Sequence, residues 1–214
     1  LRVSVRDTGD VVLSVPWYVS DSGALDFMRS QAEWLVKTLG KVKPRDDIFD
    51  HLVKEPWLSL DGHRAHLMLD ESKIRTQWVA DPGRGETIIR YFTGSATRSD
   101  EVMSALVGMA RTYVPMRAKE LAGRCNVKIG RVRIRDQYTR WGSCTSDSNL
   151  SFNWRIILLP PHLHDHIIYH ELAHITYLNH SADFHRLLGE YDVNAVENDH
   201  SISKLSPVFM ALGR

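Results

Sequence analysis

His170, Glu171 and His174 spell His-Glu-Leu-Ala-His, and His180 follows six residues after the second histidine. On a helix, residues four apart project from the same face one turn apart, so two neutral imidazoles can share one metal ion. Glu171 sits one residue round from His170. That is too far off the stripe to ligate easily, but within reach of a water at the ion. The chemistry this pattern suits is hydrolysis. A zinc ion with three protein ligands keeps a fourth position open and lowers the pKa of water there from 15.7 to about 7. A glutamate beside it can take the proton and pass it to a leaving group.

The chain holds eleven histidines in 214 residues, which raises the odds of an accidental match. Residue frequencies still give only roughly a 2% chance for His-Glu-x-x-His, and about 0.1% once His180 is required. The surroundings add weight. Leu163, Ile167, Ile168, Leu172, Ala173, Ile175 and Leu178 place the motif in an apolar stretch, and Pro160 and Pro161 suit a helix start. Charged and polar groups in a mostly buried helix are costly without partners.

The third ligand needs a separate argument. His180 has the spacing of the metzincin signature, but Tyr177 stands where that signature has the glycine that lets the chain leave the helix. Glu190 and Glu197 are rivals from a following helix. Ser181 reads as the N-cap of that helix, with Asp183 in its first turn and Phe184, Leu187, Leu188 and Tyr191 on one face. Glu190 falls off that stripe, which favours His180.

Arg140-Trp141-Gly142-Ser143-Cys144, Ser151-Phe152-Asn153-Trp154-Arg155, the His-Glu-Leu-Ala-His core, and Asn179-His180-Ser181 with Phe184 together resemble the YgjP-like zinc metallopeptidases, small relatives of the zincins. The resemblance extends weakly to Val3–Arg6, Leu13–Pro16 and Ala32–Leu35, and is least after Tyr191. It implies one zinc per chain at His170, His174 and His180, with Glu171 as catalytic base. One departure is His185, where the family commonly carries a tryptophan.

Composition agrees with a water-soluble enzyme. The chain is 43% hydrophobic with formal charge +1, enough for one substantial core or two small domains, and neutral on the question of polyanionic partners. No stretch approaches the length of a membrane span. The chain begins at Leu1 rather than methionine, so preceding residues are expected, and no signal peptide is seen within it. Cys125 and Cys144 form no Cys-x-x-Cys pair and read as reduced packing residues of a cytoplasmic protein.

The elements that must position the motif follow from periodicity. The fold class is α+β: a β-hairpin-rich N-terminal part over residues 1–95 with one helix at about 23–39, then a zincin-like helix–sheet–motif-helix domain over 96–214. Val3–Arg6 and Val11–Val15 flank the turn tetrad Asp7-Thr8-Gly9-Asp10. Gly40 stops the first helix, and Lys41–Pro56 reads as a connector. Two further hairpins turn at Asp61-Gly62 and Asp81-Pro82-Gly83, within Trp57–Leu69 and Ile74–Phe92. Ser99 caps a helix to about Gly123, with Asp100 and Glu101 at its positive end, which Pro115 should kink or interrupt. Val127–Leu159 supplies the sheet, and Tyr138–Asn153 is expected to form an edge and rim to which an extended substrate adds as a strand. Trp141 and Trp154 are equally well read as core aromatics.

Arg131, Arg133 and Arg135 share one strand face, either a solvated surface or a fork for phosphate or carboxylate. His164 points away from the ligand pair, and His166 lies one turn below it as packing or a supporting contact. Asp165 is a carboxylate that could orient a ligand histidine. His51, His63, His66 and His200 read as surface groups. The first reading is a zinc metallopeptidase acting on peptide or protein. One alternative is a metal-dependent nucleotide phosphoanhydride hydrolase using the arginine strand. A second is a non-catalytic, metal-stabilised binding module touching nucleic acid, which leaves Glu171 without a purpose. Nucleic acid and membrane are not expected partners.

Overall fold

The computed structural model describes residues 1–5, 11–40, 48–70, 78–81, 87–92 and 98–213, with side chains at 68–101 outside the description. The chain is mixed α+β, as expected, and divides into two compact units, Leu1–Asp46 and Asp47–Gly213. In the first unit, β1 (Arg2–Val5) pairs antiparallel with β2 (Val11–Ser14). The tetrad expected to turn between them lies outside the described residues. The expected single helix is two, α1 (Asp21–Ser30) and α2 (Ala32–Leu39), broken at Gln31. Ser20 caps α1 by accepting from the Gly23 amide at 3.3 Å.

In the second unit, part of the expected connector is a helix, α3 (Ile48–Lys54), while 41–47 lie outside the described residues. Its charged sequence hides two fully buried positions, Ile48 and Leu52, so packing overrides composition. Strands β3 (Trp57–Leu60) and β4 (His63–Asp70) form the Asp61-Gly62 hairpin. Both turn residues take positive φ, 52° and 77°, as a two-residue loop requires. Strands β5 (Trp78–Asp81) and β6 (Thr87–Phe92) pair antiparallel; the start at Ile74 and the Pro82-Gly83 turn lie outside the described residues. The two hairpins are joined through a parallel β4–β6 pairing, in the order β3-β4-β6-β5.

Helix α4 (Arg98–Arg124) runs through Pro115 without interruption; the expected Ser99, Asp100 and Glu101 end lies outside the described side chains. Val114 and Ala118, beside the proline, are wholly buried, so packing holds the helix where the ring removes a hydrogen bond. Strands β7 (Val132–Arg135), β8 (Gly142–Cys144) and β9 (Leu150–Asn153) form a sheet in the order β7-β9-β8, with β8 at an edge and antiparallel to β9. A buried 3₁₀ turn, Trp154–Leu158, leads to α5 (Pro161–Thr176), which carries the histidine motif. Helices α6 (Ala182–Tyr191) and α7 (Ala195–Phe209) follow.

The core that seats α5 includes Leu106, Leu121, Leu150, Phe152, Ile156, Leu163, Ile168 and Leu172. The Ser-Phe-Asn-Trp-Arg run proves structural. Phe152 is fully buried, Asn153 accepts from the Arg155 amide at 3.1 Å to cap the 3₁₀ turn, and Trp154 is 2% exposed. The Arg155 guanidinium is buried, pairs with Asp136 and donates to the Leu212 carbonyl at 2.8 Å. Ser59 on β3 hydrogen-bonds the Leu159 carbonyl just ahead of α5.

The described contacts of Asp165, expected as a possible support for a histidine ligand, are with Arg117 and His164 instead. Asp165 accepts two hydrogen bonds from Arg117 on α4 and lies 3.2 Å from His164 Nδ1. Burial pushes its carboxyl up, but the Arg117 and His164 contacts outweigh this and hold it below the ordinary value. Because the folded pKa lies below the unfolded one, the stabilisation is complete above about pH 4 and lost as pH falls through the folded value. Asp165→Asn should cost on the order of 2–3 kcal/mol at neutral pH and flatten the acid limb of a pH–stability curve. Urea titrations between neutral and acid pH check both.

Candidate metal and catalytic site

Pro161 opens α5 at its first turn, where the missing amide costs nothing. The helix buries Leu163, Ile167, Ile168, Leu172 and Ala173 and leaves His170 and His174 half-buried on an adjoining face. It ends at Tyr177, whose φ of −127° and ψ of 106° are extended. The chain therefore leaves the helix without a left-handed residue, which explains how His180 returns with tyrosine at the place of glycine. Ser181 then caps α6, accepting from the Phe184 amide at 3.3 Å.

This path brings His170, His174 and His180 together. One ring nitrogen from each lies within 4.8 Å of the other two, and the Nε2 atoms of His170 and His180 are 3.1 Å apart. Glu190 and Glu197 are both exposed and stand outside this cluster. Phe184, fully buried on α6, packs its ring 4.5 Å from that of His174, 4.8 Å from His180 and 5.0 Å from His170. The Tyr177 carbonyl lies 2.9 Å from His174 Nδ1, so that nitrogen donates and Nε2 keeps its lone pair. Burial, then His174 and the other histidines, bring His170 down to about 4 despite an opposing pull from Asp199. Burial lowers His174 as well. Both rings are thus neutral near pH 7, the form a metal requires. The donor set, three convergent imidazoles, fits zinc.

Glu171 is 6% exposed, and among the described residues no hydrogen-bond donor reaches its carboxylate. Burial pushes it up to about 8, against a smaller lowering by Arg140. A dication on the neighbouring imidazoles would favour the ionised form. The carboxylate lies under the edge strand: a Cβ built on Gly142 would stand 2.5 Å from Glu171 Oε1. Glycine at 142 is thus what lets β8 approach the acid. Cys144, two residues on, is pushed to about 11 by burial and by Glu171. Both cysteines are free.

Other expected residues fall elsewhere. Arg131, Arg133 and Arg135 are exposed, and the first two line a cavity of about 280 Å³ with Thr145, Asn149 and Ser151. Arg133 is in register with Ser151, whereas Gly142 is in register with Phe152, so the arginines occupy the sheet face opposite the one that meets Glu171. Trp141 is a core aromatic whose indole donates to Ser206 Oγ at 2.7 Å. His63 and His200 are exposed, but His51 and His66 are half-buried against Phe209 and Trp57, at 5.3 and 4.9 Å between ring centres. Sequence reasoning missed the roles of Gly142 and of Phe184 as a platform. The first carried a signal, a glycine inside a β-run.

A model of the YgjP-like metallopeptidase domain matches residues 1–204, and the chain belongs to that family. Neither a curated protein nor a solved structure matches it. The family supports a metal-dependent hydrolase of the peptidase type, and the histidine cluster is a fitting site for its divalent ion. Among the described residues no helix is long and apolar enough to cross a membrane.

The contact between Gly142 and Glu171 gives a direct test. Gly142→Ala should leave zinc uptake intact while displacing the carboxylate by about an ångström, a shift that costs on the order of 100-fold in rate. Zinc stoichiometry and peptide hydrolysis measured on the same preparation check it.

Proposed function

We propose that the chain is a zinc-dependent metallopeptidase whose chemistry resides in residues 96–214, with His170, His174 and His180 as ligands and Glu171 as general base. The observation that carries this reading is the convergence of three imidazole nitrogens within 4.8 Å, next to a buried carboxylate that no donor satisfies among the described residues. Bound there, zinc would supply Lewis acidity toward water and the scissile carbonyl. Glu171 accepts a proton from the attacking water and delivers it to the leaving nitrogen. Burial suits it to this task by raising its affinity for that proton.

The substrate would lie along β8. That strand bonds β9 on one side only among the described strands, and its backbone can pair an extended peptide by strand addition. Gly142 brings that backbone against Glu171, so a peptide paired there is held near the base. A phosphoanhydride substrate loses support, because its expected arginine grip faces away from Glu171. A purely structural metal site would leave the buried Glu171 carboxylate without a role.

Purified protein should hold about one zinc per chain, and His174→Ala should lose it. Glu171→Gln should keep the metal and lower hydrolysis of an unbiased peptide mixture by roughly 10²–10⁴-fold. Product release from nucleoside triphosphates rather than peptides, sensitive to the same substitution, would overturn the reading.

A further inference from the structure

His166 lies one turn before His170 on α5, is 1% exposed, and has no part in the chemistry above. Both its nitrogens face carboxylates: Nδ1 lies 2.6 Å from Asp192 Oδ2, and Nε2 lies 3.1 Å from Asp199 Oδ1. Asp192, which closes α6, also accepts from Asn198 Nδ2 at 2.8 Å and from the Asn194 amide at 3.0 Å. Its acceptor capacity is taken up locally. Asp199, on α7, differs. An oxygen of its carboxylate lies within 4.8 Å of a ring nitrogen of His170 as well as beside His166. The side chain of Asp199 is 45% exposed, so water reaches it.

Building on the zinc reading above, we infer that Asp199 is a positioning residue for the metal site, holding His170 in the tautomer and orientation that present Nε2 to the ion. The Nε2 edge of His170 is the one that faces His180, at 3.1 Å. Its Nδ1–H then needs an acceptor, as the equivalent atom of His174 finds one in the Tyr177 carbonyl. Among the described residues Asp199 is the acid whose carboxylate lies within 4.8 Å of a His170 ring nitrogen. His166 serves as the clamp: by holding Asp192 and Asp199 together it ties the α6–α7 segment to α5 and keeps the Asp199 carboxylate beside His170. An anion behind a ligand imidazole also raises its basicity toward the metal.

Zinc affinity of the full chain, measured by competition with a chromogenic chelator, tests this alongside the melting temperature of the metal-free protein. Asp199→Asn keeps the shape and removes the charge. It should weaken zinc binding about 10- to 100-fold with a fall in the metal-free melting temperature no larger than that of Asp192→Asn, and Asp199→Glu should recover part of the affinity. Asp192→Asn, which breaks the His166 clamp but not the acid near His170, should lower the melting temperature with a smaller loss of affinity. Native-like zinc binding by Asp199→Asn would overturn the inference while leaving the metallopeptidase reading standing. So would affinity losses in both variants that track their melting temperatures, since Asp199 would then act through packing alone. No zinc uptake by the native chain would remove both.

Discussion

Two half-buried imidazoles, an exposed third and a buried carboxylate are gathered here, and the surrounding elements answer to that constraint. Desolvation disfavours the charged form of His170, His174 and Glu171. It brings His170 down and Glu171 up, leaving neutral lone pairs next to an acid with a raised affinity for protons. In an ordinary core such a set would be a defect, because buried polar groups need partners. The buried phenyl ring of Phe184 packs against all three imidazoles and covers one side of the cluster.

Support for this arrangement comes from both sides of α5. The three-stranded sheet presses its edge strand onto Glu171, at a distance only glycine permits. Helices α6 and α7 lie against the histidine side, one supplying Phe184 and the other Asp199. The site is therefore a junction rather than a property of its own helix, and this is how a 16-residue helix holds two half-exposed histidines in fixed orientation. The ion pair of Arg117 with Asp165 and the buried Arg155 fasten the neighbouring elements around it.

The two faces of the β7-β9-β8 sheet divide the labour. The inner face carries Leu150 and Phe152 to the core and Gly142 to the acid, while the outer face carries the exposed arginines. Side-chain alternation makes this separation unavoidable once the register is set, since neighbouring residues on a strand cannot point the same way. A charged outer face next to the β8 edge also discourages pairing with other sheets.

Local rules made much of the site readable from the residues alone. The one-turn spacing of His170 and His174, the Ser181 cap, the Asp61-Gly62 turn and the exposure of Glu190 all follow from periodicity or turn chemistry acting over a few residues. Packing across long stretches of chain decided the rest. It formed α3 inside a charged segment, carried α4 through Pro115, joined the two hairpins by parallel strands, and buried Arg155. It also set Gly142 against Glu171, and Asp199 beside His170, over separations of about thirty residues. Those contacts depend on how whole elements close on one another, and no pattern within a single element encodes that. The residues suited to such chemistry were thus legible in the sequence, and the contacts that support them were decided by the tertiary fold.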